Sequence, residues 1–191
     1  MKNYIIIFIC LISLSNLSFS QKRYVILKQR RVHFWSFSID GGVIVPVGDF
    51  GNAYKTSGNA GIELAFNPNP SFCVFVDGQY NFLSNIDTNY SARSSIIETT
   101  IGGRAYMGKG MAKFFVEASF GDYILRTNYN DPYYGPTTIS NSNFGLSGGI
   151  GGDMAVSRRM TVFIKSKYHT IFTNGGNTNY IGQYGGIRFI I

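Results

Sequence analysis

Cysteine is almost missing from this 191-residue chain, which has only Cys10 and Cys73. Cys10 falls inside the leader described below, so Cys73 has no intramolecular partner and no disulfide staples the fold. Histidine is as scarce, at two residues. No Cys/His spacing of the zinc type and no phosphate-cradling glycine motif occurs, so neither a metal nor a cofactor is expected. Charged residues make up only 14% of the chain. Acid is absent between residues 21 and 33, where Lys22, Arg23, Lys28, Arg30 and Arg31 crowd together. Beyond the leader, no apolar run approaches the ~20 residues that a membrane-spanning helix needs, which excludes helical spans from the mature chain.

The first 20 residues read as an export signal. Lys2 provides a short basic start, an apolar run extends from Tyr4 to Leu17, and Ser18-Phe19-Ser20 forms a small-x-small cleavage site before Gln21. Cleavage removes Lys2 and no acid, so the formal charge falls from +7 to +6. Export and the strand pattern described next argue against nucleic acid as the partner of this basic chain. Residues 21–33 read as a basic periplasmic tail, solvated or touching anionic headgroups. Residues 34–191 read as one domain by length.

What is abundant is glycine (23), phenylalanine (16) and tyrosine (13), a composition suited to short strands and tight bends. From Phe34 onward, apolar and polar residues alternate with a period of two, the mark of strands between two different environments. Trp35, Phe37, Ile39, Val43 and Val45 share a face opposite Ser36, Ser38 and Asp40. Val74 and Val76 oppose Asp77, Ile101 opposes Arg104, Val116 opposes Glu117, and Ile164 opposes Lys165. About eight strands emerge, joined by connections that alternate long and short. The long ones are Pro46 to Gly58, Leu83 to Ser94, Arg126 to Asn141 and Phe172 to Asn179. The last strand, Tyr180 to Ile191, would leave an open edge unless it pairs with the first, so closure is expected. The fold class is therefore all-β, an eight-stranded antiparallel up-and-down transmembrane β-barrel.

The charges decide which face looks inward. Asp40, Glu63, Asp77, Glu98, Arg104, Glu117, Asp153, Lys165, Lys167 and Arg188 share the face opposite the aliphatic residues. Turned outward, each would cost ~2–4 kcal/mol at the bilayer midplane; turned inward, they can pair. They are expected to form an interior polar plug. Trp35, Phe66, Phe72, Phe114 and Phe189 fall near the short-turn end of the outer face, and Tyr80, Phe82, Phe144 and Tyr168 near the other end, as two aromatic girdles.

The Gly42 to Phe50 segment (GVIVPVGDF), the Ile171 to Asn179 link (IFTNGGNTN) and the Gly186-Ile-Arg-Phe189 ending complete the pattern. With this alternation, the mature chain resembles the small outer-membrane β-barrel domain family of Bacteroidota, which is OmpA/OmpX-like in architecture. The resemblance implies a place in the bacterial outer membrane among lipid and lipopolysaccharide. It also implies recognition of Ile187, Phe189 and Ile191 by the barrel-assembly machinery, and it carries no catalytic residues.

The expected role is structural or one of surface interaction, with no enzyme activity. The Asn128 to Pro136 stretch carries Tyr129, Tyr133 and Tyr134 among Asn and Gly, a composition suited to adhesive contact with an extracellular ligand. One alternative is a narrow passive channel. The other is an outer-leaflet lipid A-modifying enzyme, since His169 with Thr170 and Thr173 is distantly similar to the lipid A deacylase barrels. However, His169 has inward parity, and no full triad can be named.

Overall fold

The computed structural model describes residues 33–86, 93–108, 110–131 and 135–191, with residues 129–131 and 135–136 described by backbone alone. The leader, the tail as far as Val32, and Tyr133 and Tyr134 lie outside the described residues. Chain order is β1 (Phe34–Val47), α1 (Asp49–Ala53), β2 (Tyr54–Lys55), β3 (Ser57–Asn69), β4 (Phe72–Asn85), β5 (Arg93–Met107), β6 (Ala112–Asp131), β7 (Gly135–Ala155), β8 (Met160–Thr173) and β9 (Gly176–Ile190).

All the long strands pair antiparallel with their chain neighbours, and β1 pairs with β9 as well as with β3. In that closing ladder Ser38 stands opposite Arg188 and Ile39 opposite Ile187. Eight long strands thus form a cylinder without a free edge around its waist, which satisfies every ladder group internally, as hydrocarbon demands. The ninth strand, β2, is a two-residue strip against β4.

The period-two pattern sorts the side chains as the physics requires. Val74, Ile101, Val116 and Ile164 face outward at 41, 44, 43 and 69% exposure, while Asp77, Glu98 and Arg104 face inward at 0%. Outward aromatics occupy both ends of the belt. Trp35 packs on Phe66 near the short turns (ring centroids 5.0 Å), and Tyr80 on Phe82 and Phe144 on Phe172 near the other end (4.9 and 6.2 Å). Inside, large rings are seated over inward-facing glycines. A Cβ on Gly151 would meet the Phe115 ring, one on Gly182 the Tyr184 ring, and one on Gly145 the Tyr123 ring.

One end of the cylinder is blunt: its turns are Pro70-Ser71, Gly108 to Met111 and Val156 to Arg159. The other end departs from the long-loop expectation in three places. The Pro46 to Gly58 connection is not open loop. Gly48, at φ 64°, turns the chain into α1, which lays Phe50 into an apolar cluster with Ile44, Leu83, Ile96, Tyr123, Ile171 and Tyr180. Burial of one phenylalanine in an otherwise Gly/Asn/Pro-rich segment is what folds it over the mouth. The Phe172 to Asn179 link is a two-residue turn, Asn174-Gly175, because its Thr and Asn residues continue the β8–β9 ladder. The Arg126 to Asn141 stretch is mostly paired strand, with Arg126 opposite Ser140 and Asp131 opposite Gly135. Above the hydrocarbon a strand needs no apolar face, so its sequence reads as loop.

Candidate functional site

The barrel interior is built from residues two apart on each strand, and the register sets them side by side. Arg104 on β5 stands directly opposite Glu117 on β6, and Glu63 on β3 opposite Asp77 on β4. Toward the blunt end, the Arg104 guanidinium forks onto both oxygens of Glu63 (3.0 and 2.5 Å) and donates from Nε to Glu117 at 2.7 Å. It lies between the rings of Phe75 and Phe115, at 4.9 and 4.7 Å from their centroids. A planar, bidentate cation between two aromatic faces is the arrangement that arginine, not lysine, can make. Arg188 beside it donates to Asp153 at 2.5 Å, to the Tyr106 hydroxyl at 3.1 Å and to the Ser38 hydroxyl at 3.2 Å, and reaches Glu63 at 3.4 Å.

The middle layer is made by two lysines. Lys165 lies 3.3 Å from Asp40, 3.5 Å from Glu63 and 3.9 Å from Asp77, while Lys167 lies 3.3 Å from Asp77 and 3.8 Å from Glu98. The amide of Gln79 donates to both Asp40 (2.8 Å) and Asp77 (3.0 Å). All ten charged residues singled out from the alternation are therefore linked in one continuous chain of contacts, running from Asp153 through Glu63 to Glu98. Their carboxylates outnumber their cations six to four, and neutral donors supply the remainder.

A third layer was not legible as a unit in the sequence. Glu98 accepts from the hydroxyls of Tyr180 (3.0 Å) and Tyr123 (3.4 Å). The His169 ring stacks on Tyr180 at 4.3 Å between centroids. Its Nδ1 and Nε2 are hydrogen-bonded with the hydroxyls of Tyr123 (3.1 Å) and Tyr184 (3.0 Å). Parity alone would have found Tyr180 and Tyr184, which share a face with Gly182, Gly186 and Arg188. Above this layer lies the apolar cluster under α1. From blunt end to mouth, the lumen is thus ionic, then aromatic and hydrogen-bonded, then greasy.

This is a filled core. His169 is fully buried and turned away from lipid, with both ring nitrogens engaged. Among the described residues no group of three His, Cys, Asp or Glu is placed to hold a metal ion. A hollow of about 770 Å³ does open on the lipid side, where Gly152 and Gly185 thin the wall between Phe114, Val116, Ile150 and Ile164. Beside it Gln183 donates to Ser166 at 2.7 Å, which partly satisfies an amide facing hydrocarbon.

Known structures share this cylinder. Neisserial surface protein A superposes with a TM-score of 0.65 at 14% identity, covering 81% of this chain and 96% of that one. The fold is that of a small outer-membrane β-barrel. A major outer membrane protein from Thermus thermophilus matches this barrel at TM-score 0.55 and 10% identity, over 82% of this chain and 99% of that one. Ail, the attachment invasion locus protein of Yersinia pestis, does so at 0.52 and 12%, over 82% and 97%. No family model matches the chain, and no curated protein does. The OmpA/OmpX-like architecture expected from the sequence is the one found. Its apolar belt and two aromatic girdles give the cylinder the outer surface of a barrel that spans a lipid bilayer.

Proposed function

We propose that this barrel is a sealed outer-membrane protein that works by contact at the cell surface, through the β6–β7 hairpin. The supporting observation is a bare backbone edge. From Asp122, level with the girdle residue Phe144, β6 continues nine residues to Asp131, about 30 Å of chain at ~3.3 Å per residue. β8 lies alongside β7 only from Gly145 onward, so Gly135 to Phe144 has β6 on one side and no ladder partner on the other among the described residues. An exposed, rigidly held edge is a template for adding an extended strand of another protein. Thr137, Thr138, Ser140 and Asn141 are exposed around it. Ail, described as an attachment invasion locus protein, and the Neisserial surface protein share the fold, which favours a surface role here too.

The test is attachment of cells carrying the barrel to immobilised extracellular-matrix glycoproteins. Deleting Asn128 to Pro136, or placing a lysine on the edge with Ile139→Lys, abolishes attachment while the barrel stays folded. Unchanged attachment in both variants refutes the hairpin as the contact element. The packed ionic lumen argues against a channel, and the inward, doubly bonded His169 argues against a lipid A enzyme.

A further inference from the structure

The charges of this barrel are sorted by place. Of the nine acids among the described residues, six line the lumen, and Asp49, Asp122 and Asp131 stand at the mouth end. Only Asp153 stands near the blunt end, opposite Lys113 in the β6–β7 ladder, and its carboxylate is held by Arg188 inside the lumen. The blunt rim carries Lys113, Arg158 and Arg159, and none of the three has a carboxylate partner among the described residues. Lys113 leans across the rim to the Pro70 carbonyl (3.1 Å), and Arg158 and Arg159 are exposed in the β7–β8 turn. Residues 21–33 of the sequence carry five more lysines and arginines and no acid. Among the described residues the net positive charge is therefore concentrated at one rim.

We propose that the blunt rim is a binding surface for the phosphate headgroups of anionic phospholipids in the periplasmic leaflet. The commitment to lipid follows from continuity, because Arg159 borders the apolar belt directly. The backbone amide of Ile190 donates to Arg159, and that of Ile191 to Trp35 (both 2.9 Å). Arg159 and the outward-facing Trp35 thus flank the end of β9, about two strand spacings or 10 Å apart. Phe189, exposed on β9 between β1 and β8, belongs to the same girdle. An acyl chain lying on the girdle puts its headgroup at the level of these cations. Each Lys or Arg near an anionic surface favours it by an amount equal to about fivefold in local lipid preference, and this fades within a Debye length.

This inference rests on the membrane reading above, and Trp35 allows the two to be tested apart because it is the only tryptophan in the chain. The protein purified from outer membranes is reconstituted in phosphatidylcholine vesicles holding a minor fraction of phosphatidylglycerol. Either one lipid or the other is brominated on its acyl chains, at equal mole fraction. Brominated phosphatidylglycerol is expected to quench Trp35 several-fold more effectively than brominated phosphatidylcholine, and high salt to erase the difference. The Lys113→Gln/Arg158→Gln/Arg159→Gln variant loses most of the preference, whereas Arg93→Gln/Arg126→Gln at the mouth end keeps it. Equal quenching by both lipids in the unmodified protein overturns the proposal. So does a triple variant with full preference, which would assign the effect to residues 21–33. Absence of quenching by either lipid overturns the membrane placement itself.

Discussion

Replacing Arg104 with leucine should be the most damaging single change inside the barrel, and the structure says which second change repairs it. Arg104 is fully buried and bonded to Glu63 and Glu117. Removing one member of a buried ion pair costs about 3–5 kcal/mol, because the partner is left charged and dry. The two partners are not equivalent. Glu63 keeps Lys165 at 3.5 Å and Arg188 at 3.4 Å, whereas Glu117 has no second cation within 4 Å among the described residues. Most of the cost therefore falls on Glu117. In the Arg104→Leu background, Glu117→Gln should recover about 1–3 kcal/mol by removing the orphaned charge, and Glu63→Gln should recover little or lose more, because Glu63 is still paired with Lys165 and Arg188. The assay is urea unfolding in lipid vesicles, followed by Trp35 fluorescence and by the shifted gel mobility of the folded barrel. An Arg104→Leu midpoint equal to that of the unmodified protein, or better rescue by Glu63→Gln than by Glu117→Gln, would refute the network as drawn.

Three other outcomes follow from the same geometry. Ile164→Arg, at a position 69% exposed in the belt, should cost about 2–4 kcal/mol in vesicle unfolding, and Ile139→Arg above the girdle close to nothing; equal costs would contradict the assigned membrane level. Phe50→Ala should unseat α1, raising amide exchange across Asp49 to Lys55 while the β1–β9 ladder keeps its protection; unchanged exchange would mean that Phe50 does not hold the lid. Gly151→Ala, whose methyl group would press on the Phe115 ring and the Ile164 carbonyl, should cost about 1–3 kcal/mol, and Gly148→Ala, with its nearest neighbour 3.9 Å away, should be tolerated. Thermal scans of the two glycine variants separate these cases.

The alternation of Val74 against Asp77 and of Ile164 against Lys165 was enough to foresee the cylinder, its outward grease and its inward charges. That legibility comes from the bilayer, which punishes any strand residue of the wrong polarity and so writes its thickness into the chain. Legibility ended where the bilayer ended. Residues 126–131 and 135–141 carry no alternation of apolar and polar residues, so nothing in their polarity marks them as strand, and their Asn and Gly content made them look like loop. The Asp49 to Ala53 turn was hidden in the same way, with Phe50 as the one residue whose burial could have betrayed it. Tyr123, Tyr180 and Tyr184 were missed for a different reason. Tyrosine is equally at home in a girdle, a loop or a packed lumen, and only its parity against Lys165 and Arg188 tells these apart.

The lumen network joins partners far apart in the chain: Lys165 and Glu63 are 102 residues from each other, Arg188 and Glu63 125, and Arg188 and Ser38 150. A sheet still lacking β8 and β9 would hold Asp40, Asp77 and Asp153 without their cations, so hydrocarbon must be kept away until the seam between β1 and β9 zips shut. Insertion and closure are then a single concerted event. A chain stalled one strand short would stay outside the bilayer instead of resting in it half finished.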